Sequence, residues 1–102
     1  MTIATEKRTL LTVITEAAIE QTLLRELDRL GVRGYTVWDA RGRGNRGMRD
    51  GSWEESANVR VEMVCPRSQA EAVLGYLQAR YYDDYAMVGF LQDIEVLRPG
   101  KF

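Results

Sequence analysis

Patterns typical of strands and helices alternate along these 102 residues in the order strand, helix, strand, strand, helix, strand. In residues 17–30, apolar side chains recur at spacings of four, four and three, and Gly31 follows as a helix stop. A second amphipathic pattern predicts a helix over residues 67–80, with Ser68 as its N-cap. The β-branched or alternating apolar runs that indicate strands are residues 8–15, 32–40, 58–65 and 86–97.

This order within about 100 residues is typical of the ferredoxin-like α+β sandwich, in which both helices cover one face of a four-stranded antiparallel sheet. We expect residues 1–102 to form a single domain. The second sheet face then needs a partner, and a homo-oligomer is the simplest one. The apolar residues expected on that face are Val59, Val61 and Met63, or their alternates, together with Met87 and Phe90.

Charge and residue usage exclude several classes of function. Lys plus Arg number 14 and Asp plus Glu 15, so no overall field attracts the chain to nucleic acid or a membrane. With no His and only one Cys, a Cys/His zinc site, an imidazole base and an intrachain disulfide are excluded. The chain shows no signal peptide and no apolar run of about 20 residues, which predicts a cytoplasmic protein.

The segment at 41–57 is rich in glycine and arginine and predicts a long loop. Residues 42–47 match G-x-G-x-x-G, but the helix that a dinucleotide site needs does not follow. Glycines let backbone N–H groups approach an anion, and arginines can form forked bonds to phosphate or carboxylate. The segment therefore indicates a local anion site, with a solvated loop as the alternative. Its arginines are Arg41, Arg43, Arg46 and Arg49.

Other reactive side chains have simpler interpretations. Glu62 alternates with apolar residues and is expected to face solvent, which argues against a catalytic or magnesium-binding role. Asp83 and Asp84 follow a helix and are typical of a turn. Cys65 is expected to be a small buried apolar residue.

The two tryptophans bear on nucleic-acid binding. Trp38 is expected to pack within the sheet, whereas Trp53 lies in the polar loop and could make a contact at its tip. The RNA-recognition motif shares the element order, but the first and third strands here lack its stacking aromatic residues. We therefore expect no RNA binding.

Three segments, GYTVWDARGRGNRG, NVRVEMV and DYAMVGFLQDIEVL, together resemble the PII superfamily of signalling proteins. The likeness covers residues 9–97 and is greatest to the PII-like branch of SbtB and carboxysome-associated proteins. It implies a homotrimer that binds adenine nucleotides in clefts between subunits and changes the conformation of the T-loop, here residues 41–57. By resemblance, the ligands are ADP or AMP together with bicarbonate; ATP and cyclic AMP remain open.

The resemblance also assigns site residues. Those implied to bind nucleotide are Gly34, Thr36, Gly42, Arg43, Gly44, Arg46, Arg49, Tyr85 and Ala86, the last two from a neighbouring chain. Those implied to hold bicarbonate are Arg43, Asn45 and Arg46, and those implied to dock a partner are Met48 and Trp53. No metal and no catalytic residue is implied.

The implied function is non-enzymatic regulation of a transporter or a carbon-fixation protein, with association to a carboxysome or to a membrane transporter. The modified tyrosine motif of the nitrogen-regulating members and the Cys-containing tail of many SbtB proteins are absent, so 2-oxoglutarate sensing and redox behaviour are not transferred. Two alternatives remain: a slow nucleotide phosphatase that uses the arginine-rich loop, and an interaction module that binds protein without a small ligand.

Overall fold

The computed structural model describes residues 2–42 and 57–98. These form an antiparallel sheet in the order β2-β3-β1-β4 and two α-helices, which confirms the ferredoxin-like α+β prediction. The strands are β1 (Glu6–Glu16), β2 (Thr36–Ala40), β3 (Asn58–Cys65) and β4 (Met87–Val96). The helices are α1 (Glu20–Arg29) and α2 (Arg67–Tyr81), with a short 3₁₀ turn at Ala17–Ile19 before α1.

Strand β1 is central and pairs with β3 on one side and β4 on the other. Leu11 lies opposite Met63 in β3 and Leu91 in β4, so these three side chains share one face of the sheet. Leu11 and Met63 are buried there beneath the helices. Strands β2 and β4 are the edges of the sheet.

Helix α1 buries the apolar residues that the sequence spacing predicts. Leu23 and Leu27 are buried against the sheet, as the spacing of four predicts. Gly31 has φ of 86°, a left-handed conformation that glycine adopts without steric cost, and it ends the helix as predicted. The prediction of one helix from residue 17 was too long, because Ala17–Ile19 forms a 3₁₀ turn.

The start of α2 differs from the sequence prediction. Ser68 lies inside the helix, and the N-cap is Pro66 in an extended conformation with φ of −62° and ψ of 150°. Proline suits the entry of a helix because its ring fixes φ and its missing N–H needs no partner there. In the first turn, Arg67 Nε donates a hydrogen bond to Glu71 Oε2 at 2.7 Å. Glu71 therefore pairs with Arg67 within the helix.

For β3, the structure supports the second alternative, in which the alternates of Val59, Val61 and Met63 lie on the uncovered face, but Met87 was assigned to that face wrongly. Val59, Val61 and Met63 are buried beneath the helices, and Met87 shares their face because it lies opposite Thr15, the partner of Val59. Their alternates lie on the opposite face, which we call the open face. Phe90 belongs to it, as predicted. The described open-face residues of the three longer strands include Leu10, Thr12, Ile14, Arg60, Glu62, Val64, Val88, Phe90 and Ile94.

Gly89 lets α2 lie close to β4. A Cβ atom at this position would come within 2.4 Å of Leu74 Cδ1 and 3.2 Å of the Tyr82 hydroxyl. We expect Gly89→Ala to lower the free energy of unfolding by about 1 kcal/mol, since the Leu74 side chain must move to make room. Urea unfolding followed by circular dichroism measures the change.

Gly75→Ala is the matched control, because a Cβ at Gly75 would meet no atom within 4 Å. Gly75 lies in the interior of α2, so alanine there is expected to raise the free energy of unfolding by about 0.5–1 kcal/mol. An equal gain from Gly89→Ala would show that the close approach to Leu74 does not limit packing.

Candidate functional site

A groove of about 470 Å³ opens beside the start of β2. Its walls come from β1, from the segment before β2, from the start of β2, from the second half of β3 and from the first turn of α2. They include Arg33, Gly34, Thr36, Glu62, Val64 and Gln69. The groove therefore combines charged, polar and apolar surface, as small-molecule sites commonly do.

Gly34 and Thr36, two of the residues implied to bind nucleotide, both line this groove. A Cβ atom at Gly34 would meet nothing within 4 Å, so open space borders the backbone there. Thr36 begins β2 directly opposite Glu62 of β3. The neighbouring Gly31 carbonyl accepts a hydrogen bond at 3.0 Å from Gln69 Nε2, which ties the start of this segment to α2.

Glu62 does not face solvent freely, and the sequence expectation for it was wrong. Its side chain is only 15% exposed. Glu62 Oε2 accepts hydrogen bonds from Arg60 Nε at 2.9 Å and from Thr12 Oγ1 at 3.2 Å, and it also contacts Arg60 Nη2. Residues two apart in a strand share a face, so the opposite charges at 60 and 62 were a signal that could have indicated this pair.

Trp38 also departs from the prediction that it packs within the sheet. It lies on the open face of edge strand β2 and keeps 47% of its surface exposed. Arg60 is its partner across the strands, and the guanidinium carbon lies 5.8 Å from the centre of the indole ring. This is within the range of a cation–π interaction.

Tyr85 and Ala86 lie beside β4, at the sheet edge opposite β2. The Ala86 N–H donates to Glu16 Oε2 at 2.7 Å, and the Ala86 carbonyl accepts a bond from Thr15 Oγ1 at 3.3 Å. The Tyr85 N–H donates to the Tyr81 carbonyl at 3.0 Å. Within one chain these two residues are therefore fixed, but the width of the sheet separates them from Gly34 and Thr36.

Gly42 follows β2 at the end opposite Gly34, and a Cβ atom there would meet nothing within 4 Å. The remaining residues implied to bind ligand or partner lie outside the described residues. They are Arg43, Gly44, Asn45, Arg46, Met48, Arg49 and Trp53.

The other reactive residues have structural surroundings. Cys65 is 3% exposed in the core, as expected, and burial raises the pKa of its thiol. Asp83 and Asp84 lie in the turn after α2, as predicted. Residues 2–42 and 57–98 contain no group of three or more His, Cys, Asp or Glu that could hold a metal ion. Within the same ranges, neither helix is long and apolar enough to cross a membrane.

Known structures resemble this chain over nearly its whole length. The PII-like signalling protein TTHA0516 from Thermus thermophilus is 34% identical with a TM-score of 0.81, covering 98% of this chain and 99% of that one. CPII from Thiomonas intermedia K12, bound to ADP and bicarbonate, is 30% identical with a TM-score of 0.83 and 99% coverage of both chains. CPII bound to ADP, AMP and acetate is 29% identical with a TM-score of 0.84 and 98% coverage of both chains.

The sequence pattern of one protein family agrees with these structures. The family described as Nitrogen regulatory protein P-II matches residues 8–101, which run from within β1 through the end of β4 and include both helices. The predicted resemblance to PII proteins is thereby confirmed. This chain belongs to the P-II family of signalling regulators.

Proposed function

We propose that this chain is a PII-like regulatory sensor that binds ADP or AMP, together with bicarbonate, in clefts between the subunits of a homotrimer. The observation that carries the proposal is the groove beside β2, which is bordered by Gly34 and Thr36. CPII, which is similar to this chain over 99% of its length, has been solved with ADP and bicarbonate bound.

An assembly of several copies accounts for two features of the single chain. The open face carries exposed apolar side chains, with Val88 50% and Phe90 39% exposed, and burial against other copies would remove them from water. Gly34 and Ala86 lie at opposite edges of the sheet. A neighbouring copy can bring its Tyr85 and Ala86 to the groove, whereas the same chain cannot.

Each implied ligand contact has a physical basis in this proposal. The backbone at Gly34 lets the adenine ring approach closely, and the Thr36 hydroxyl offers a donor and an acceptor. Gly42 and Gly44 bring backbone N–H groups to the phosphates. Arg46 and Arg49 hold the phosphate oxygens with forked hydrogen bonds. Bicarbonate, a small planar anion, would lie between Arg43, Asn45 and Arg46.

In this proposal, regulation follows from a change in the conformation of the loop at 41–57. A ligand that binds one loop conformation more tightly shifts the population towards it. Met48 and Trp53 would then be presented to, or withdrawn from, a transporter or a carbon-fixation protein. The chain would act by binding, and not as an enzyme.

Calorimetric titration of AMP and ADP, each with and without bicarbonate, tests the proposal, with light scattering to give the mass in solution. We expect a trimer whose nucleotide affinity depends on bicarbonate, because two coupled ligands alter each other's binding reciprocally. Absence of binding by any adenine nucleotide would contradict the proposal and leave an interaction module. Phosphate release that disappears in Arg46→Ala would instead indicate a phosphatase.

A further inference from the structure

A row of polar side chains crosses the open face from the groove towards the start of the loop at 41–57. Thr12 in β1 and Glu62 in β3 lie directly opposite each other, as do Arg60 in β3 and Trp38 in β2. Glu62 lines the groove, whereas Trp38 lies three residues before Arg41, the first residue of that loop. The row therefore joins the proposed ligand site to the base of the proposed regulatory loop.

Among the described residues, only one of the two carboxylate oxygens of Glu62 accepts hydrogen bonds. All its hydrogen bonds with described residues end on Oε2, and the donors are Thr12 and Arg60. Thr12 is fully buried and Glu62 is 15% exposed, so the Thr12 hydroxyl is a fixed support. Within the described residues, the second oxygen, Oε1, accepts no hydrogen bond and is available to a donor in the groove.

The guanidinium of Arg60 contacts two members of this row, Glu62 and Trp38. It donates to Glu62 and lies over the Trp38 ring at 5.8 Å. The guanidinium is planar, so a rotation that changes its bonds to Glu62 also changes how it stacks on the indole. The Arg60 side chain is 46% exposed in the single chain, so packing within that chain leaves it room to rotate.

We propose that Arg60 is a positioning residue that couples the groove to the loop: it orients Glu62 for a donor group of the nucleoside, and its stacking on Trp38 changes when that donor binds. The proposal rests on nucleotide binding at this groove and specifies how that binding is communicated. Two arrangements of Arg60 then exist, one for the empty groove and one for the filled groove. The ligand selects between them because it contacts Glu62 only in the second.

Tryptophan fluorescence gives a direct test. The chain has two tryptophans, so Trp53→Phe leaves Trp38 as the only reporter. In this background we expect saturating AMP or ADP to change the Trp38 emission, with nucleotide affinity measured separately by calorimetry. Adding Arg60→Lys keeps the charge but removes the planar fork, so we expect about fivefold weaker binding. At saturating nucleotide, the emission change should also be lost.

Arg25→Lys is the matched control, because Arg25 is exposed on α1 and contacts Thr22 at 3.4 Å, away from the open face. It should retain both the affinity and the emission change of the Trp53→Phe background. A merely structural role for Arg60 would lower the melting temperature without abolishing the emission change at saturation, and that result overturns the proposal.

The remaining outcomes separate this proposal from the proposed function. If the Trp53→Phe protein binds nucleotide with unchanged Trp38 emission, the coupling is overturned and nucleotide sensing stands. If the unmodified chain binds no adenine nucleotide, both are overturned. A full emission change in Arg60→Lys overturns the coupling alone.

Discussion

Replacing Gly34 with leucine is expected to leave the fold intact and to weaken ADP binding by about 100-fold or more. A Cβ atom at Gly34 would meet nothing within 4 Å, and the φ angle of Gly34 is not positive, so we expect the substitution to strain neither packing nor backbone. The four added carbons instead enter the space beside the groove, where we propose that the adenine ring lies. Calorimetric titration of ADP measures the loss.

Urea unfolding of the same variant separates ligand binding from stability. We expect the free energy of unfolding to stay within about 0.5 kcal/mol of the parent, as for most exposed substitutions. Gly75→Ala, at a position on α2 with equally open space, should leave ADP affinity unchanged. Parent-like ADP affinity in Gly34→Leu would place the nucleotide elsewhere and withdraw the groove as its site.

The order of elements could be predicted because each follows from local spacing. Apolar residues four apart identified the buried side of α1, where Leu23 and Leu27 lie, and alternation identified β3. Gly31 marked the end of the first helical region because its left-handed conformation suits glycine. These features depend on neighbours within a few residues, which a sequence records directly.

The contacts of the candidate site that join different strands could not be predicted in the same way, because they depend on strand register. Alternation shows that Val61 and Glu62 lie on opposite faces, but not which face the helices cover. The pairing of Arg60 with Trp38 joins residues 22 positions apart, across the loop at 41–57. Nothing local to Trp38 indicates that its partner is a guanidinium, and packing within the sheet was therefore the wrong expectation.

Replacing Phe90 with glutamate is expected to convert the proposed trimer into single chains and to abolish nucleotide binding with it. Phe90 is 39% exposed on the open face and lies opposite Thr12, whose other partner is Glu62. A carboxylate at position 90 adds a second negative charge to the residues aligned with Glu62 across β4, β1 and β3. Burying this carboxylate unpaired between subunits is strongly unfavourable. Light scattering should show the mass falling from three chains to one, while circular dichroism shows that strands and helices remain.

Two controls distinguish the loss of assembly from a general effect of substitution. Phe90→Leu keeps an apolar side chain on the open face and should retain both the trimer and ADP binding. Gln78→Glu adds the same charge to an exposed position of α2, on the helical side of the sheet, and should also behave as the parent. Because the proposed cleft takes Gly34 from one copy and Ala86 from another, mass and affinity must fall together in Phe90→Glu. A single chain that still binds ADP with parent affinity would show that one copy suffices for the site.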